Sequence, residues 1–505
     1  MLPHSLCVQA RTRVHAWPGV LALWLLGLLL LASCGETRRA SELPVSSRGP
    51  RADVFLRASG GTTLEIELSL AAVRLRAEDG TQVDLPLLRG SVVSSEAARR
   101  LSLAGGGVPK GRYAALSVEL SSAASRRAGV RRELRLLPPE GASQAEPGAG
   151  AAAQAAQQTP LPVYEVPLNI EIGSRDAVAL FLEWNVDASI VDGDGLRLAL
   201  GVTQERPQAS LGLLYVTDAA SGTVLSVERS TGEVVGSVSA GREPRALAVG
   251  TTGARVVTAN AGDGSIAVLD VRTGWTRYAI PVQLSARTSD VAVIQDGVRV
   301  AATSPGVDMV SVFNLLQLTR EFDVRVGRAP VRLTVAGQAR RLFVVNSASD
   351  SLSVVDVQSR AVVATLPVER EPSAVATDRR SRAVFVAHRT SQNLLVFDAE
   401  TLAQVGSIPV GDEVTALVAD VRRDRVYAAR ARPAELAVVD LGLATVTRRI
   451  RLSGRVENLA QPLEGSLVYG AAPELGALIV VNVLRGREEA PIPCGTAPSD
   501  VVTTD

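Results

Sequence analysis

Residues 343–356 read FVVNSASDSLSVVD. An apolar run, a turn of Ser, Asn and Asp and then an alternating run describe two strands joined by a hairpin. The same phrase recurs as YVTDAASGTVLSVE, VTANAGDGSIAVLD, AATSPGVDMVSVFN, FVAHRTSQNLLVFD, YAARARPAELAVVD and YGAAPELGALIVVN. The first residues of the seven copies are Tyr215, Val257, Ala301, Phe343, Phe385, Tyr427 and Tyr469, at intervals of 42, 44, 42, 42, 42 and 42. Such regularity marks internal repeats. A third strand such as VVATLPV follows in each unit, and a Gly-x-x-Pro phrase with a further apolar run makes a fourth. Four strands in about 42 residues are one blade of a β-propeller.

The last residues of the sequence, PCGTAPSDVVTTD, break off in mid-repeat. Pro244, Pro330, Pro372 and Pro498 each stand 29 residues after the first residue of their repeat, and the first three stand 13 before the next. By that rule Tyr215 needs a strand starting near Val202, where the chain instead reads the polar VTQERPQA. The missing strand is therefore expected from PSDVVTTD, residues 498–505, which would close the ring and cover its open edges. The expected fold is all-β: an antiparallel β-sandwich over 51–206, then a seven-bladed propeller over 208–505.

Tyr215-Val216-Thr217-Asp218, with the variant Phe343-Val344-Val345-Asn346, resembles the motif of the YVTN-repeat propellers of bacterial and archaeal surface proteins. No Trp-Asp or Gly-His signature points to the WD-repeat type. Propellers of similar shape include lactonases and quinoprotein-type dehydrogenases, which work in the central funnel, so the resemblance leaves an enzyme open beside a binding module.

Between 51 and about 206, period-two stretches such as VFLRASGGTTLEIELSL, GRYAALSVEL, VPLNIEI and AVALFLEW alternate with Gly and Asp turns, the pattern of a sandwich. Residues 138–160 (PPEGASQAEPGAGAAAQAAQQTP) are low in complexity and read as a loop insertion. Glu78-Asp79-Gly80, Val108-Pro109-Lys110-Gly111-Arg112-Tyr113 and AVALFLEWNVDASI give this region a resemblance to a bacterial lipoprotein domain of unknown function with a prealbumin-like sandwich.

Arg11 and Arg13, the apolar GVLALWLLGLLLL and the small residues before Cys34 form a secretory signal over 1–33. LASC resembles the bacterial lipobox, which implies lipidation of Cys34; the alternative is an ordinary signal peptide with an incidental cysteine. Residues 34–50 then carry the lipidated cysteine and a polar tether. Gly35 stands where an aspartate retains some lipoproteins at the inner membrane, so the expected location is extracytoplasmic, at the outer membrane or cell surface.

Removing 1–33 takes Arg11 and Arg13 but no acidic residue from totals of 53 basic and 52 acidic, leaving 51 against 52. That balance implies no nucleic-acid partner. Beyond the signal the cysteines are Cys34 and Cys494; Cys494 takes the repeat position of Val326 and Val368 and reads as a small buried residue. The one histidine left, His388, holds the position of Asn346 and Asp218 and reads as a substituted turn residue. No Gly-x-Ser-x-Gly elbow, phosphate loop or multi-histidine set accompanies it, so no catalytic residue, cofactor or metal ligand is assigned. Asp192-Gly193-Asp194-Gly195 has the look of a calcium loop, but Thr203 stands where the bidentate glutamate belongs; a hairpin turn is the better reading. One constellation remains. Arg242, Arg328 and Arg370 lie two residues before their prolines, with Arg287 one step off, and repeat symmetry sets them on a ring about the axis. Convergent guanidiniums bind carboxylates or phosphates; the competing reading is solvated loop charge balanced by Glu243, Glu371 and Asp412.

The function expected from these features is a lipid-anchored envelope protein whose propeller binds or scaffolds an envelope protein, a glycan or a small anionic ligand. The rivals are the propeller enzymes named above and a structural surface-layer component.

Overall fold

The apolar run at the centre of each repeat has to be buried on both sides, because alternate side chains point to opposite faces of a strand. The computed structural model describes residues 50–505 apart from 61–64, 99, 128–129, 140–160, 174–176, 192–193, 204–211, 251–254, 271–274, 283–286, 295–297, 337–339, 379, 421 and 505. The signal expected over 1–33, Cys34, the expected tether up to residue 49 and most of the low-complexity insertion thus lie outside the described residues. In the repeat Arg341–Asn346, Leu342 and Val344 join an apolar cluster with the preceding unit. Phe343 and Val345 join one with Val384, Val386 and Phe397 of the next. Each sheet is a wall shared by two cores.

Seven four-stranded antiparallel sheets follow this rule. Blade 4, for example, consists of Pro330–Ala336, Arg341–Asn346, Ser351–Asp356 and Ala361–Pro367, from innermost to outermost strand. Six blades share a bulge at one repeat position between their third and fourth strands, at Ser226/Val227, Val268/Leu269, Val312/Phe313, Val354/Val355, Val396/Phe397 and Val438/Val439. A bulge adds local twist, and here it recurs as part of the blade design.

Blade 1 is composite. Its strands Leu213–Asp218, Thr223–Glu228 and Glu233–Ser239 come from the start of the propeller, and Pro498–Thr503 from the other end of the chain pairs with Leu213–Asp218 as the innermost strand. The ring closes by hydrogen bonding, as the proline spacing predicts.

The Gly-x-x-Pro phrase has a steric cause. A Cβ on Gly241 would meet the Asn260 side chain at 2.5 Å, and one on Gly495 would meet Asp218 at 2.8 Å. Those polar side chains hold the loop entering the innermost strand: Asn260 Nδ2 donates to Ala240 O (3.2 Å), and Asp218 accepts from the N–H groups of Thr496 and Ala497 (3.0 and 2.9 Å).

The N-terminal region is a two-sheet sandwich. The smaller sheet runs Leu200–Thr203, Ala177–Asn185, Arg51–Ser59, Leu101–Gly107. The larger is built on the long pair Glu65–Ala77 and Gly111–Arg127. Pairing is antiparallel except that Arg51–Ser59 runs parallel to Ala177–Asn185, and Gly195–Leu196 to Val130–Leu136. Ile190–Val191 and Gly195–Leu196 form the hairpin expected around residues 192–195, of which Asp192 and Gly193 lie outside the described residues.

The small sheet is covered on both faces. Val54, Leu56, Leu180, Leu182 and Trp184 fill the sandwich core. On the other face Phe55 and Phe181 stack at 5.7 Å and join Leu214, Val227 and Val234 of blade 1 with Tyr469 and Ile492 of blade 7 in one apolar cluster. Polar groups complete the contact: Ser237 Oγ donates to Asp53 Oδ2 (3.0 Å), Arg51 pairs with Asp53 (2.7 Å), and Arg100 links Glu183 (3.1 Å) to Glu233 (2.9 Å). The sandwich is docked on the outer side of blade 1.

Candidate functional site: the axial cavity

Where the innermost strands converge, the propeller encloses a cavity of about 970 Å³ whose wall takes residues from all seven blades. The repeat explains which residues arrive there. Just before the innermost strands of blades 2, 4, 5 and 6 the backbone turns through a left-handed residue: Glu243 (φ 48°), Ala329 (52°), Glu371 (51°) and Glu413 (51°). Non-glycine residues rarely occupy this region, so the loop must be held in place; Asp308 and Asp350 do so by accepting from the N–H groups of Ala329 (2.8 Å) and Glu371 (3.0 Å).

That turn decides the fate of the expected arginine ring. Arg287, which occupies the turn position itself, lines the cavity and lies 3.6 Å from Glu243. Arg242, Arg328 and Arg370, one residue earlier, are exposed and are not among the lining residues. Arg328 donates instead to Ala348 O at 2.9 Å. The cavity's other arginines are Arg245, Arg332, Arg389 and Arg455, with Glu243, Glu371 and Glu457 interspersed.

One step inside each innermost strand, most blades carry a hydroxyl that ties them to the next. Ser499 donates to Pro244 O (2.8 Å), Ser289 to Pro330 O (3.1 Å), Ser373 to Val414 O (2.6 Å) and Thr415 to Val456 O (2.5 Å). Blades 2, 4 and 7 have Arg245, Val331 and Glu457 there instead.

A charged bridge crosses the axis at the next position. Arg332 of blade 4 approaches Asp290 of blade 3 (3.8 Å) and donates to the Glu457 carbonyl of blade 7 (3.0 Å). Asp290 accepts from Leu333 N (2.8 Å); Asp500, on the closing strand, accepts from Leu247 N (2.6 Å) and Val501 N (2.7 Å) and from the Asn458 amide. Burial raises the pKa of both carboxyls, that of Asp500 to about 7, against the opposing pull of Arg332.

His388 and Cys494 prove to be interior residues. His388 is fully buried at a strand end, its Nδ1 3.0 Å from Asn393 O and its Nε2 without a hydrogen-bond partner among the described residues; burial pushes its pKa down. Cys494 is a free thiol packed with Leu214 and Tyr469, and burial pushes its pKa up. Both positions belong to the blade cores. Among the described residues no group of three His, Cys, Asp or Glu side chains is placed to hold a metal ion.

The fold has solved counterparts. Hydrazine synthase of Kuenenia stuttgartiensis is similar at a TM-score of 0.50 and 16% identity, over 54% of this chain and 92% of that one. A functionally unknown protein from Desulfotomaculum acetoxidans DSM 771 is similar at a TM-score of 0.51 and 10% identity, over 57% and 98%. At such identities the likeness is one of fold alone. No protein-family model and no curated protein matches the chain.

Arg245, Arg332 and Arg389 were not singled out by the reading of the sequence. The signal that finds them is departure from the repeat at positions that face the axis, and the facing positions become known only once the left-handed turn is seen.

Proposed function

We propose that this protein is a lipid-anchored cell-envelope protein, a member of the YVTN-repeat propellers carrying a prealbumin-like sandwich, and that its propeller is a non-catalytic binding module with the axial cavity as its ligand site. The observation that carries the reading is the cavity wall, to which every blade contributes and which gathers arginines and glutamates, Arg389 among them at a position that is small and uncharged in the other blades. Fixed charges on a rigid ring suit recognition. The signal-like N-terminus and Cys34 support anchoring at the outer membrane or cell surface.

Two measurements test this. Labelled palmitate should enter the full-length protein and be lost on Cys34→Ala; equal labelling of the variant removes the anchor. A thermal-shift screen of the mature chain against organic acids, sugar phosphates, glycans and lactones should give a shift that grows with ligand concentration. Turnover of a lactone in the same screen would replace the binding module by an enzyme.

A further inference from the structure

The repeat supplies its own reference for what the cavity wall needs structurally. At the position of Arg389 the other blades carry Ala219, Ala261, Pro305, Ser347, Ala431 and Pro473, all small and uncharged. At the position of Arg245, four blades carry a hydroxyl that bonds to the next blade. Blade 2 gives up that bond for a guanidinium. Both arginines line the cavity, and neither guanidinium makes a hydrogen bond or ion pair with the described residues, whereas Arg287 and Arg332 have acidic neighbours. They stand three blades apart in a ring of seven, on opposite walls. Two anionic groups held apart can engage both at once, each on its own part of the wall. Glu243, Glu371 and Glu457 on the same wall repel a dense run of negative charge, which disfavours a polyanion and leaves room for two charges held apart.

We propose that the axial cavity binds a small molecule with two separated anionic groups, a dicarboxylate or a bisphosphate compound, one group on Arg245 and the other on Arg389. A guanidinium fork takes either group through paired N–H donors, and the cavity exceeds the size of such a molecule. This rests on the reading of the cavity as a ligand site, and the test separates the two.

Calorimetric titration of the mature chain, kept soluble by Cys34→Ser, would use succinate, adipate and suberate against acetate and hexanoate, with 1,6-hexanediol bisphosphate against hexyl phosphate. At least one two-group anion should bind about tenfold more tightly than its one-group counterpart, and Arg245→Gln and Arg389→Gln should each weaken it by about tenfold or more. Arg328→Gln, outside the cavity, should leave binding unchanged, and unchanged melting temperatures would show all three variants folded. Whether the dicarboxylate or the bisphosphate series responds identifies the anionic group. Equal binding of one-group and two-group anions, no two-group anion binding at millimolar concentration, or indifference to both substitutions overturns the proposal. If no anionic probe binds, a neutral glycan that protects Arg389 from phenylglyoxal would overturn the dianion while leaving the cavity a ligand site.

Discussion

Val235, Val363 and Val405 occupy one repeat position, on the outermost strands of blades 1, 4 and 5, yet they are 6%, 50% and 63% exposed. The backbone around them is the same. What differs is the neighbour: the sandwich lies over blade 1, and blades 4 and 5 present the same valine to solvent. A repeat therefore specifies strand, turn and bulge but not environment, and blade 1 differs from the rest in two linked ways. It is the blade assembled from both ends of the propeller sequence, and it is the blade on which a second folded region is docked. The seam that joins the two ends of the propeller sequence is the one held from outside as well as from within.

The sharpest way to break this comparison is to remove the closing strand. Deleting residues 498–505 strips blade 1 of its pairing with Leu213–Asp218, the Ser499 link to blade 2 and the Asp500 contacts. The expected result is loss of cooperative unfolding or a fall in melting temperature larger than any point substitution gives; an unchanged melting curve would mean that the ring does not depend on its closure. Next comes the docking face. Phe181→Ala should cost about 3–5 kcal/mol, the range for emptying a buried aromatic site, whereas Val363→Ala on the exposed edge of blade 4 should stay within about 0.5 kcal/mol. Denaturant midpoints decide the matter, and equal effects would dissolve the distinction between the two edges.

A slope with pH is the third expectation. The pKa of Asp500 lies near 7 in the folded protein, raised by burial from an ordinary carboxyl value of 3.8. Between those values the folded state holds the proton that the unfolded chain releases, so the stability from this group is full below about 4 and is lost as pH rises toward 7. Arg332 and Asp290 are the charged groups that face it. Asp500→Asn should flatten the dependence of melting temperature on pH across this window; an unaltered slope would assign it to other groups.

Much of this was legible in the sequence, and the rest fails for definite reasons. Period, blade count and closure follow from spacing because strands of one length must return to one place on a ring. The arginine ring misleads by a single residue. Arg242, Arg328 and Arg370 are periodic, but the left-handed residue after each of them carries the chain inward, so the axis is reached from the turn onward. Docking is hidden because Arg51, Asp53 and Arg57 give the first strand the alternation of a solvent-facing edge. Arg51 and Asp53 satisfy each other and Ser237 satisfies the remaining carboxylate oxygen, which allows that face to be buried. Departures from the repeat carry the site, and they are informative only after the facing positions are known.

The smallest effect tests the inner ring of hydroxyls, where blade 4 again contrasts with its neighbours. Ser289, Ser373 and Thr415 each donate to the carbonyl that begins the next blade, while Val331 leaves the equivalent carbonyl of Pro372 without that link. Threonine keeps the branched shape of valine and adds the donor that Thr415 already uses at this position. Val331→Thr should therefore stabilise the protein by up to about 1 kcal/mol, and Thr415→Val should destabilise it by about the same amount, the net value of one buried hydrogen bond. Read by denaturant midpoint at constant slope, opposite signs for the two exchanges would establish that the ring is stitched blade by blade from within. A loss in both would mean that the Pro372 carbonyl lies beyond the reach of residue 331, so that the junction of blades 4 and 5 relies on the apolar cluster around Phe343, Val345, Val384 and Val386 and on Arg341, which donates to Ala399 O (2.8 Å) and Glu400 O (2.7 Å).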